Sequence, residues 1–483
     1  MLPPPLSRIT EYITLEKISP TFCRTYFYVS LLLNEIIVII FSKAGIIMKN
    51  KYNDIFRPQV HFTAKNGWIN DPNGLIYIDG TYHMFYQYDP TGIKPEKMHW
   101  GHATSRNLIH WQEQDIALFP DERGDMWSGS AILDNKNLIG KNTKDSTAAL
   151  LFYTTTEPFV QNISYSTDGF KTIKSFEGNP VLPHIMGTNR DPLIVFCDEL
   201  DCYVMALHLK THLYALLKSK DLINWTKFQT LEMKDAECPD LFPITDNNGA
   251  RKWVFMGASD NYIVGNFING RFEMTQEEKR LHYGNASYAG QSFSNLKNGR
   301  VVRVAWNRGW FTDTTSFAGQ MGIAMELTLC EHGGKHYIEA NPVKEIKELY
   351  SDTVSFDCLT INKPFECPLK NTPYIIRLKS ELYAGANLTV SFFGVELKLD
   401  FKQKLINLGD CQAPLTVTGS NVSITLVVDR CSTELFADGG KIYMSCLSKH
   451  TLCDMNDLKF TAKSDTSTVI DNVELISLES IHK

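Results

Sequence analysis

The chain has 483 residues, 43% of them apolar, and a formal net charge of −6. This length allows two or more domains and a sizeable core. The mild acidity lacks the basic footprint of a nucleic-acid binder and suits a neutral substrate. Eleven cysteines scattered from Cys23 to Cys453, with no CxxC pair, argue against a disulfide scaffold or a thiolate metal site, so a reducing, cytoplasmic setting is expected.

Residues 26–47 are strongly apolar and follow Arg8, Lys17 and Arg24, the layout of a signal peptide or membrane anchor. Asn34 and Glu35 interrupt the run, and no A-x-A cleavage site follows. The other reading is that translation starts at Met48 and residues 1–47 are not native. Only the first reading implies a membrane partner or an extracellular or anchored protein.

From about residue 57 the chain reads as short strands and turns. LIYIDGTYHMFYQY (75–88) has the period-2 pattern of a hairpin turning at Asp79-Gly80. SRNLIHW (105–111) recurs as SKDLINW (219–225), with a looser echo in STDGFKTIKSF (166–176). Strand–turn–Trp units recurring at several tens of residues suggest the blades of a β-propeller. Helical periodicity is confined to NPVKEIKELY (341–350), where Val343, Ile346, Leu349 and Tyr350 share a face. Beyond it, VELKLDF (395–401) alternates like a half-buried strand. SITLVVDRCSTELFADGGKIYM (423–444) reads as two strands around turns, one at Asp438-Gly439. Strands without helices suggest a β-sandwich.

Three acidic residues have surroundings that suit glycosidic chemistry, which needs one carboxyl to attack and one to protonate. Asp71 lies in WINDPNG (68–74), a turn with apolar residues on both sides. Asp191 follows Arg190 and precedes the apolar run LIVF; the neighbouring cation is expected to hold it ionised. Glu237, in AECPDLFPI (236–244), is expected to be desolvated, with the raised pKa of a general acid. Singly, each also reads as an ordinary turn, ion pair or rim residue.

Taken in order, W-x-N-D-P-N-G, R-D-P and E-C resemble glycoside hydrolase family 32, the invertase, levanase and exo-inulinase family. FYQY (85–88), HWGHA (99–103), WSGS (127–130), YAGQSF (288–293) and DRCSTELFADGG (429–440) extend the resemblance over residues 57–445. It implies an all-β chain, with an extension over 1–50, a catalytic five-bladed propeller over 51–345 and a β-sandwich over 350–483. It further implies retaining release of terminal β-fructose from sucrose or a fructan. Asp71 would be the nucleophile, Glu237 the acid/base and Asp191 the stabiliser of the transition state, with Arg190 orienting it. The Asp71 and Glu237 carboxyls would then stand roughly 5–5.5 Å apart. Asn70, Gln87, Ser128 and Trp306 match pocket positions, and Trp127 replaces another aromatic. No cofactor or metal is implied, the partner is a sugar, and the chain would act as a monomer or homodimer.

Two departures bear on specificity. PEKM (95–98) stands where the family has W-G-P-M, putting Pro95 at an expected Trp that Trp100 could replace. AMELTL (324–329) lacks the usual Arg of P-R-E-L-T-L. Hydrolysis of sucrose 6-phosphate, fructosyl transfer, and fructan binding without catalysis are the alternatives.

Overall fold

Residues 67–342 turn back on themselves repeatedly to make five antiparallel sheets in chain order. Their first strands are Gly67–Ile78, Met126–Leu133, Arg190–Cys197, Asp240–Thr245 and Ser287–Ser292. These strands touch one another around a ring, making them the inner strands of a five-bladed β-propeller. Polar side chains stitch the ring. Ser130 Oγ accepts from Ile194 N at 3.0 Å and donates to Pro192 O at 2.8 Å. Gln291 Oε1 accepts from Leu75 N at 3.1 Å, and its Nε2 donates to Gly129 O at 3.0 Å. The strand Phe317–Ala318 returns to pair with Gly67 and Trp68 in the first blade. The computed structural model describes residues 56–308, 316–381, 387–415, 421–447 and 458–482. The apolar segment 26–47, Cys23 and Cys453 lie outside the described residues.

The hairpin of 75–88 forms as its alternation predicts. Ile78 pairs with Thr81 across Asp79 and Gly80, whose φ values of 46° and 80° suit a tight primed turn. The sequence echo is also structural. In both SRNLIHW and SKDLINW a Ser hydroxyl accepts from the backbone N–H two residues on, at 3.2 Å. In both a buried Leu, Leu108 or Leu222, adopts φ near +66°, and the Trp indole donates to its carbonyl at 3.0 Å. Both segments join the third strand of a blade to the fourth. STDGFKTIKSF occupies the same place in the second blade, with Phe170 at φ 64°.

The periodic segment 341–350 is helical over a shorter span than its pattern suggests. It forms a 3₁₀ helix at Lys344–Leu349 that buries Ile346 and Leu349, with Val343 buried beside it. Two six-stranded sheets follow, facing each other as a β-sandwich. The strand Val395–Asp400 alternates buried and less buried residues, as read from VELKLDF. Residues 423–444 span three strands rather than two, Asn421–Asp429, Ser432–Ala437 and Ile442–Leu447, because Arg430 and Cys431 make a turn of their own.

One continuous apolar core joins the two parts, with Phe62, Ile323 and Leu349 packed in the same cluster as Val427, Phe436 and Tyr443. A buried polar clasp lies beside it. Asp429 accepts from the backbone N–H groups of Gln59 and Val60 at 2.8 and 2.9 Å and contacts His61 Nδ1 at 2.8 Å. His61 Nε2 lies 3.7 Å from Glu434, which accepts from Asn307 Nδ2 at 2.9 Å and Tyr443 OH at 3.1 Å. The stretch DRCSTELFADGG thus supplies both acids of the joint.

Candidate active site

The beginnings of the inner strands meet at one mouth of the ring, where they line a cavity of about 360 Å³. Every residue singled out from the sequence reaches it: Asp71, Asp191, Glu237, Asn70, Gln87, Trp127, Ser128, Arg190 and Trp306. The first blade contributes Asn70, Asp71 and Gln87, the second Trp127 and Ser128, and the third Arg190 and Asp191. Glu237 lies just ahead of the fourth blade, and Trp306 comes from the fifth.

Asp71 is set between two donors. Ser128 Oγ donates to Oδ2 at 2.7 Å, and Asn70 Nδ2 to Oδ1 at 3.0 Å. Asn70 is fixed by Trp68, whose Nε1 donates to its oxygen at 2.8 Å. The Trp68 ring packs edge-on against Trp306, 5.8 Å between centroids. Burial pushes the Asp71 carboxyl up, and the two donors pull it back only in part.

Asp191 and Glu237 both sit on left-handed backbone, with φ of 63° and 57°, as does Cys238 at 35°. Such conformations are costly for residues with a Cβ and need fixing by their surroundings. Thr154 Oγ1 accepts from Asp191 N at 3.1 Å, and Tyr214 OH donates to Glu237 O at 3.1 Å. Cys238 N donates to Asp191 Oδ2 at 3.1 Å, and its thiol lies 3.5 Å from Asp71 Oδ2.

The charge states reverse two expectations. Burial pushes Asp191 up to about 7, which outweighs the pull of Arg190, 3.6 Å away, while Asp71 adds a further push upward. Arg190 therefore does not hold Asp191 ionised against burial. Glu237 moves the other way. Burial raises it, but Tyr288 OH at 2.6 Å and Arg190 Nη2 at 2.5 Å together bring it below the usual carboxylate value. The general acid is partly desolvated, as expected, but its ion pair with Arg190 and its bond from Tyr288 deny it the raised pKa.

Asn73 is another residue the pattern did not single out. With its amide oxygen facing Gln87, it accepts from Gln87 Nε2 at 3.0 Å and donates to Ser128 Oγ at 3.2 Å. Its signal was its place in WINDPNG, as that of Tyr288 was its place in YAGQSF. Pro95 lines the cavity, accompanied by Glu96, Met98 and Asp125. Trp100 does not replace the missing Trp. It is fully buried beneath the wall, where its Nε1 donates to Trp127 O at 3.1 Å. Apolar walls come instead from Trp68, Trp127 and Trp306. Met325 and Ala324, in the stretch lacking an Arg, are core residues away from the cavity.

Residues 61–340 match the glycosyl hydrolases family 32 N-terminal domain. A levanase of Bacillus subtilis is 29% identical over 449 residues, covering 81% of this chain and 66% of that protein. An invertase of Schizosaccharomyces pombe is 28% identical over 465 residues, covering 87% of this chain and 78% of that protein. The solved structure of an exo-inulinase from Aspergillus awamori superposes with a TM-score of 0.79 at 23% identity. It covers 89% of this chain and 99% of its own, a likeness of fold.

Proposed function

Since the chain belongs to glycosyl hydrolase family 32, we propose that it is a retaining β-fructosidase that releases terminal β-D-fructose from sucrose or fructans. The observation that carries this reading is the convergence of Asp71, Asp191 and Glu237 in one tryptophan-walled pocket, with Arg190 the only cationic lining residue among the described residues. Relatives named levanase and invertase support it.

In this reading Asp71 attacks the anomeric carbon of the fructosyl unit while Glu237 protonates the departing oxygen. Glu237 then takes a proton from the water that opens the covalent fructosyl-enzyme. Ser128 and Asn70 favour the charged, nucleophilic form of Asp71. Asp191 binds sugar hydroxyls and stabilises the positive charge that develops on the ring. The buried Nε1 of Trp306, which has no hydrogen-bond partner among the described residues, can donate to another hydroxyl.

Protonation needs a redistribution. Three neighbouring carboxyls titrate as one coupled set, so the proton retained near neutral pH belongs to the group. Within the protein's own groups Asp191 holds it most readily, while Glu237 stays charged against Arg190. A sugar that fills the pocket expels water, which penalises a charged Glu237 and moves the proton toward it.

The test is release of fructose from sucrose, inulin and levan, with product analysis across the three. Asp71→Ala and Glu237→Ala should each abolish release without loss of fold by circular dichroism. Wild-type protein that binds fructan and releases nothing would sink the reading.

A further inference from the structure

We propose that Glu96 and Asp125 make the pocket mouth selective for uncharged fructosides, so that sugars phosphorylated on the leaving group are poor substrates. This rests on the fructosidase reading and adds the substrate class to it. Among the described residues, five carboxyls line the pocket, Asp71, Glu96, Asp125, Asp191 and Glu237, against the single cation Arg190. Arg190 is engaged, at 2.5 Å from Glu237 and 3.6 Å from Asp191. A phosphate could recruit it only by stripping two buried or half-buried acids of their partner.

The Asp191 side chain is 7% exposed and that of Glu237 34%. Asp125 is half-buried, like Glu237, and Glu96 is exposed, so both are nearer solvent than Asp191, in the outward direction that a leaving group takes. Glu96 is also held in place. Buried Asp89 gathers its loop, accepting from Thr91 N and Oγ1 at 2.8 and 2.6 Å, and from Glu96 N and Lys97 N at 2.8 and 2.7 Å. The loop therefore fixes the Glu96 backbone beside Pro95. Burial raises the Asp125 carboxyl, and nearby Lys97 offsets its charge in part. Two unit charges about 8 Å apart at an effective dielectric of roughly 40 repel by about a factor of five. A phosphate dianion facing Glu96 and Asp125, after the offset from Lys97, is thus disfavoured by roughly tenfold or more.

The experiment compares kcat/KM for sucrose and for sucrose 6-phosphate in the wild type, Glu96→Gln, Asp125→Asn and the double variant. Each is measured at low salt and at about 1 M salt, where the screening length falls to about 3 Å. The expected wild-type preference for sucrose is roughly tenfold or more at low salt. It should shrink in the single variants, shrink further in the double variant, and shrink with salt. Equal wild-type values for the two sugars, or a preference unmoved in the double variant, would overturn the inference while leaving the fructosidase reading intact. Hydrolysis of neither sugar, nor of inulin or levan, would overturn that reading and this inference with it.

Discussion

Raising the pH through the charge transition of His61 should loosen the joint between propeller and sandwich. The imidazole is fully buried between Asp429 and Glu434. Burial alone would lower its pKa, but hydrogen bonds and charge from the two acids outweigh it and carry it from 6.5 to about 9. At about 1.36 kcal/mol per pH unit, that rise is worth roughly 3 kcal/mol of stability. The folded value lies above the unfolded one. The contribution is therefore complete below about pH 6.5 and is lost as pH climbs through about 9. Urea unfolding of the wild type and of His61→Gln, at about pH 6 and about pH 9.5, isolates the effect from other groups that titrate in that range. The variant should be less stable by roughly 3 kcal/mol at the lower pH and close to the wild type at the higher one. A gap between the two proteins that is the same at both pH values would refute the reasoning, since it would mean that His61 carries no buried charge.

Four further outcomes follow from the pocket and its frame. Ser128→Ala removes a donor to Asp71 and raises its pKa, so the acid limb of the pH–kcat/KM profile should move to higher pH. Tyr288→Phe removes a donor to Glu237, and the alkaline limb should also move to higher pH, by less than about one unit because Glu237 is a third exposed. Gly129→Ala would place a Cβ 1.9 Å from Phe152 O. It should cost ~3 kcal/mol, seen as a lower Tm together with lost activity. NMR of fresh product should show β-fructose released before mutarotation, and an inverted anomer would exclude Asp71 as nucleophile.

Much of this was legible in the sequence because it is local. The Asp79-Gly80 hairpin needs only its own strands, and the Ser–Leu–Trp turn closes within seven residues, so it leaves an echo wherever a blade repeats it. Asp71, Arg190 and Asp191 could be found because each sits near the start of an inner strand, where a polar motif gives way to an apolar run, whereas Asn70 and Ser128 came with the family resemblance. The charge states were not legible. Adjacency suggested that Arg190 serves Asp191, yet its shortest contact is with Glu237, 47 positions away in sequence. Tyr288 meets Glu237 across 51 positions, and His61 meets Asp429 across 368. Such contacts are set by how blades stack rather than by any local pattern. Glu96 and Asp125 were hidden for a related reason, since only the closed ring brings two different loops to the same mouth.

That closure has a consequence for the growing chain. Each blade adds at least one wall to the pocket, and the first blade is finished only when Phe317–Ala318 pairs back onto Gly67 and Trp68. The final described residues then fasten the first: Ile481 N donates to Gln59 O at 2.8 Å. During synthesis Asp71 emerges early but has no Glu237, no Trp306 and no closing strand to work with. Competence for catalysis therefore arrives late and all at once, and a chain released short of the sandwich would expose the apolar face that carries Ile323 and Leu349 instead of presenting a half-built enzyme.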